Sequence, residues 1–190
     1  MVMTCQPIYD CYESIAKNIP EGNKKRVIYM SPKGRMFSHQ VAKELSEYDN
    51  LLFLCGHYEG VDQRVLDTLI DEEISIGDFV LTGGELPAVV FADALCRMLP
   101  GVLSSDECFE LESHYAGLLE YPQYTRPAVW HGREIPQILV SGNHEKVRQW
   151  RRKQALRRTR ERRPDMYEKL DLSSKQDKKL LKEMEMEDSQ

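Results

Sequence analysis

Three short strings in the first half of the sequence combine glycine with polar or aromatic groups: Ser31-Pro32-Lys33-Gly34, Gly56-His57-Tyr58-Glu59-Gly60 and Thr82-Gly83-Gly84-Glu85. Each follows an apolar run or lies beside one. In open α/β sheets, ligands bind outside the carboxyl ends of the strands. Glycine there lets backbone N–H and C=O groups come close to a flat molecule. The sequence contains no G-x-x-x-x-G-K-[ST], and no G-x-G-x-x-G opens a helix, which disfavours a nucleoside triphosphate or a dinucleotide. A ligand gripped by peptide groups, without a phosphate cradle, fits better. Taken singly, each string also reads as an ordinary turn.

Other residues with chemistry to offer are more scattered. Arg97 sits near the end of an apolar stretch and needs a partner or a wet cleft; Asp93, four residues earlier, is a bland partner for it. Asp106, Glu107, Glu110 and Glu112, with His114 nearby, are carboxylates in a polar stretch, where solvated surface acids are the default. Ten of the 26 Lys and Arg lie between Lys146 and Arg163, opposed there only by Glu161. Like charges at helical spacing repel, and an anionic partner relieves that repulsion, so this run reads as an RNA contact rather than a merely solvated face. The net charge of −5 hides this polarity, because acids gather elsewhere, notably from Glu183 to Asp188.

These groups need a scaffold, and the patterning supplies one. Residues 7–18 read as a helix, Val27–Met30 as a buried strand ending in a turn at Ser31–Gly34, and Ser38 as the cap of a helix through Leu45. Leu51–Cys55 is a second buried strand, residues 60–69 a helix, and Ile74–Leu81 a third strand region interrupted at Gly77-Asp78. Continuous apolar strands alternating with helices imply an α/β fold with a parallel sheet covered on both faces. The helix that follows, through Met98, is apolar nearly all round and is expected to be buried, against the sheet or a second subunit. Asn143 is placed to cap the basic helix, Pro164 to stop it, and Ser173 with Gln176 to form a capping box for a last helix. The reading divides the chain into a ligand-binding domain at 1–103, a linker at 104–127 and a small, mostly helical domain at 128–190. Five cysteines without a C-x-x-C pair imply reduced thiols in the cytoplasm, and no apolar run is long enough to span a bilayer.

Five ordered strings carry a resemblance. Val27-Ile28-Tyr29-Met30-Ser31-Pro32-Lys33-Gly34 resembles VIYLSPQG, and Cys55–Arg64 is similar to CGRYEGIDER. Asp71–Pro87 nearly spells DEEISIGDYVLTGGELP, while Tyr124–Pro127 and Leu139–His144 look like YTRP and LLSGNH. The sequence thus resembles the bacterial tRNA (guanine-N1)-methyltransferases of the SPOUT superfamily. That resemblance implies a deep trefoil knot and an S-adenosylmethionine site made by Tyr29, Met30, Ser31, Gly56, Tyr58, Glu59, Ile76, Gly77, Phe79, Leu81, Gly83, Gly84 and Pro87. It implies a homodimer with the active site at the interface, and methylation of N1 of the guanosine immediately 3′ of the anticodon in tRNA. Glu112, where the family has Asp, is the expected general base, and Arg97 the group that stabilises charge on guanine O6. Magnesium dependence is implied, with Glu59 the candidate ligand. RNA contacts are expected at Arg126, Arg148, Arg151, Arg152 and Arg157. Met1 aligns with the last residue of the family's GGG-x-GM loop, so the sequence as given is expected to lack the family's N-terminal strand. A non-catalytic RNA-binding relative and an oligomerisation scaffold are the rival readings.

Overall fold

A computed structural model of the chain describes residues 1–103, 113–114 and 117–188. It divides into two compact units, Met1–Asp106 and Glu107–Gln190, with the boundary inside the stretch expected to be the linker.

The first unit is built on three parallel strands, β1 (Lys25–Met36), β2 (Asn50–Cys55) and β3 (Glu72–Ser75), in the order β2-β1-β3. Four helices accompany them: α1 (Cys5–Ala16), α2 (His39–Leu45), α3 (Gln63–Leu69) and α4 (Glu85–Cys96). The unbroken apolar run of β1 makes it the central strand, and Val27 to Ser31 are all buried. Asp71 fixes where it starts, because its carboxylate accepts the Val27 N–H at 2.8 Å while its own N–H donates to Val27 O at 2.9 Å. Ile28, Met30, Val41, Leu45, Ile74, Phe91 and Leu95 form the core, with Phe37 and Phe53 packed on Phe91 at ring distances of 4.4 and 5.1 Å. Ser38 caps α2 by accepting the Val41 N–H.

Two expectations are corrected here. Ser31–Gly34 is not a turn that ends β1; the strand continues to Met36, with a register shift on β3 between Met30 and Arg35. The third strand does not reach Leu81. It ends at Ser75, whose hydroxyl accepts the Gly77 N–H and donates to Gly77 O, so a local turn takes over the backbone bonds and Gly77 adopts φ +156°. Helix α4 buries Phe91 and Leu95 in the single chain, while Leu86, Val89 and Val90 are 64%, 65% and 51% exposed.

The second unit contains an antiparallel ribbon of β4 (Val129–Trp130) and β5 (Arg133–Glu134), a 3-10 turn at Gln137–Val140, and helices α5 (His144–Arg162), α6 (Pro164–Tyr167) and α7 (Lys175–Asp188). Its core joins Leu118, Ala155, Leu156, Leu180 and Met184. Asn143 caps α5 through the Lys146 N–H at 3.0 Å. The cap of α7 is Ser174 rather than Ser173: Ser174 Oγ accepts the Asp177 N–H at 3.0 Å. Among the described residues no helix is long and apolar enough to cross a membrane.

Candidate active site

The strand ends of the first unit open onto one cavity of about 300 Å³, at the lower end of the range for small-molecule sites. From β1 come Tyr29, Met30 and Ser31, and from the loop after β2 come Gly56, Tyr58 and Glu59. The segment after β3 supplies Ile76, Gly77, Phe79, Leu81, Gly83 and Gly84, and the first turn of α4 adds Pro87. The positions expected to touch a cofactor therefore share one wall. Lys33, His57, Gln63 and Thr82 line it as well. The sequence reading did not assign them to the site, although three lie inside the strings it singled out. Their own signal was proximity alone.

Backbone bonds hold the loops together. The Gly84 N–H donates to Gly56 O at 2.9 Å, and His57 and Gly83 form an antiparallel bridge. The approach is so close that a Cβ on Gly84 would stand 2.8 Å from Cys55 Cα. Only glycine permits that approach. On the other side of the second loop, the N-terminal residues form a short ladder: Met3 N–H donates to Gly60 O at 2.9 Å, and Glu59 N–H to Met1 O at 3.0 Å.

The electrostatics of the cavity are mild. Burial pushes the Tyr29 phenol up, helped by the nearby Glu73 carboxylate. Burial likewise pushes the Cys55 thiol up, with Glu85 adding to it. Both groups are neutral at neutral pH, and the glycine-containing loops add peptide dipoles to the Lys33 and Glu59 side chains of the lining.

The family model described as tRNA (Guanine-1)-methyltransferase TrmD matches residues 1–169. The chain is 57% identical over 178 residues to a tRNA (guanine-N(1)-)-methyltransferase of Alkaliphilus oremlandii, covering 92% of this chain and 72% of that protein. It is 54% identical over 182 residues to the protein of the same name from Clostridium perfringens, covering 96% and 75%. A third, from Ruminiclostridium cellulolyticum, is 54% identical over 170 residues, covering 90% and 72%. The chain belongs to the tRNA (guanine-1)-methyltransferase family.

The other residues expected to act in a tRNA (guanine-1)-methyltransferase are Arg97, Glu112 and, for magnesium, Glu59 of the cavity wall. Arg97 closes α4, its N–H bonded to Asp93 O at 3.2 Å, and it does not line the cavity. Glu112, the expected base, lies outside the described residues. Glu59 is an exposed carboxylate, and among the described residues no three His, Cys, Asp or Glu gather as a metal site. Among the described residues these side chains therefore do not make a protein cage for Mg²⁺, an ion that demands near-octahedral oxygen coordination.

The basic helix of this family member is less bare than its sequence. Asp177 of α7 holds Arg152 at 3.0 Å, and Arg157 reaches Glu187 at 2.7 Å. Arg148 pairs with Glu145 within the exposed face of α5. Arg151 instead lies over the Tyr121 ring, 4.9 Å from its centre, and Arg126 is exposed. Of the cations expected at RNA, Arg152 and Arg157 are thus already answered by carboxylates that a sequence window around them does not contain.

Proposed function

We propose that this chain methylates N1 of the guanosine immediately 3′ of the anticodon in tRNA, using S-adenosylmethionine. The observation that carries the reading is the convergence of three glycine-containing segments on one cavity in a member of this family. The lining suits such a cofactor, because glycine-containing loops present peptide groups to a flat base and the Glu59 carboxylate on the same wall favours a cation. When bound, S-adenosylmethionine supplies a methyl group already activated on a sulfonium sulfur. The chain's task is then to bring the guanine edge in line and to remove the N1 proton. Glu112 is the proposed acceptor of that proton, and Arg97 the group that answers negative charge developing on O6.

Arg97 follows Leu86, Val90 and Asp93 on one stripe of α4. The exposed apolar side chains of that stripe suit an interface, since such patches mark association surfaces. A second copy covering it would meet Arg97 as well, which supports a homodimer with a shared site. The knotted path of the family is supported by the register gap in β1 and by Gly34, whose backbone passes directly against Glu73 and Ile74. A tRNA substrate supports activity in the cytoplasm.

The test is single-turnover methyl transfer to tRNA. Glu112→Ala is expected to bind S-adenosylmethionine normally and to react about 10²–10⁴-fold more slowly; an unchanged rate removes Glu112 from the mechanism. Absence of transfer by the unaltered chain, with RNA binding retained, supports the non-catalytic alternative. Val90→Glu is expected to convert a dimer to monomers in sedimentation equilibrium, and a dimer that persists unchanged places the interface elsewhere.

A further inference from the structure

The ten cations between Lys146 and Arg163 divide by what answers their charge. Along one side of α5, Arg152 is held by Asp177, Lys153 by Glu183 and Glu187, Arg157 by Glu187 and Asp188, and Arg160 by Asp188. Lys153 and Arg157 leave only 14% and 25% of their side chains exposed. A phosphate reaching them must displace carboxylates carried by a helix whose Leu180 and Met184 are locked in the core. Each of these partly exposed pairs is weak by itself, but the anchored helix keeps the carboxylates beside the cations.

Another side of the same helix is different. Arg151, Arg158 and Arg162 follow at i, i+7 and i+11, which puts them on one stripe. Among the described residues no carboxylate pairs with any of the three. Arg151 rests on the Tyr121 ring, and Arg158 donates to Glu120 O at 3.1 Å. An aromatic face and a carbonyl orient a guanidinium without cancelling its charge. Arg162 is exposed at the end of the row. Eleven residues of helix span about 16 Å, room for several phosphates of one strand.

We propose that the Arg151–Arg158–Arg162 stripe is the phosphate-binding edge of the second unit, and that the acidic end of α7 closes the Lys153–Arg160 edge to RNA. This rests on the reading that tRNA is the substrate, and it names which cations meet that substrate. Arg158 and Arg162 enter the interface, while Arg152 and Arg157 serve the fold. The row of acids from Glu183 to Asp188 repels a strand laid on the wrong side, so the charge pattern also sets the orientation of the tRNA.

The experiment is a fluorescence-anisotropy titration of the full chain with tRNA at several salt concentrations, alongside methyl-transfer assays and thermal melts. Combined Arg151→Gln, Arg158→Gln and Arg162→Gln is expected to weaken binding at least ~10-fold. It should also lower the slope of log K against log salt by about 2–3, near one per phosphate contact. Should that triple variant melt early, exposed Arg162→Gln by itself is expected to lower the slope by about 1. Lys153→Gln with Arg160→Gln is expected to keep the slope and lose melting temperature. The proposal is overturned if this second variant, still folded, loses as much affinity as the first, or if a folded stripe variant keeps the original slope. Stripe-dependent binding without methyl transfer by any variant sinks the enzymatic reading only, whereas a chain that binds no tRNA sinks both.

Discussion

The cavity of the first unit and the basic helix of the second, the two proposed binding surfaces, are built by opposite means. The cavity is built on loops whose peptide groups come within touching distance, as where Gly84 N–H meets Gly56 O at 2.9 Å, and burial keeps the Tyr29 phenol in its wall neutral. The helix works through long flexible cations, several of them already bound to Asp177, Glu187 and Asp188. Geometry built from backbone is preorganised and indifferent to salt, whereas charge on side chains is screened within about 10 Å at 0.1 M salt. One chain can thus grip a small ligand by shape and a polyanion by field. Damage to the first should be abrupt, and damage to the second graded.

The sharpest way to break that contrast is Gly84→Val. Its added side chain meets the Cys55–Gly56 backbone, which has nowhere to go. Overpacking of this kind costs about 1–3 kcal/mol, and two loops part at once. S-adenosylmethionine affinity by calorimetry is expected to fall about 100-fold, equally at low and high salt. An unchanged affinity would separate these loops from the ligand.

Next in size is Thr159→Val, a test of the second unit's framework. The Thr159 hydroxyl accepts the Leu119 N–H at 2.9 Å and donates to Ala155 O at 2.7 Å. Its removal strands a backbone donor at a cost of about 1–3 kcal/mol. Denaturant unfolding followed by tryptophan fluorescence reports this directly, because Trp130 and Trp150 both lie in the second unit. A midpoint unmoved by the substitution would mean that water replaces the lost partner.

The smallest expected effect is that of pH on the helix pair. Burial works to raise the Asp177 pKa, but hydrogen bonds from Arg152 and Ser174 outweigh it and hold the carboxyl below its usual range. Hydrogen bonds from Lys153 and then Arg157 lower Glu187. A folded pKa below the unfolded one gives stability that is complete above the ordinary carboxylate range and is lost as pH falls through the folded value. The second unit should therefore melt earlier as pH drops below about 4. Exposed Glu187 adds little to this, so Asp177→Asn should flatten most of the dependence, and a slope that survives it would point to other carboxylates.

Much of this molecule was legible where the determinants are close in sequence. The three glycine-containing strings, the β–α alternation of the first unit, and the caps at Ser38 and Asn143 each depend on a few consecutive residues. The cap of α7 was misplaced by one because Ser173 and Ser174 are locally equivalent. The choice falls to Ser174, which bonds the same Asp177 that anchors Arg152. The end of β3 is not legible because apolar residues resume at Phe79–Leu81 beyond Gly77-Asp78, whereas a turn around Gly77 leaves Phe79, Val80 and Leu81 exposed.

The sequence by itself determined the family, the parallel α/β plan and the strings that line the cavity, since all three are written in local order and spacing. Only the tertiary structure decided which apolar face of α4 its own sheet leaves uncovered, and which cations of α5 remain unanswered. The acids that neutralise Arg152 and Arg157 stand 25 and 30 residues away. Charge is paired by distance in space, and no window along the chain contains that distance.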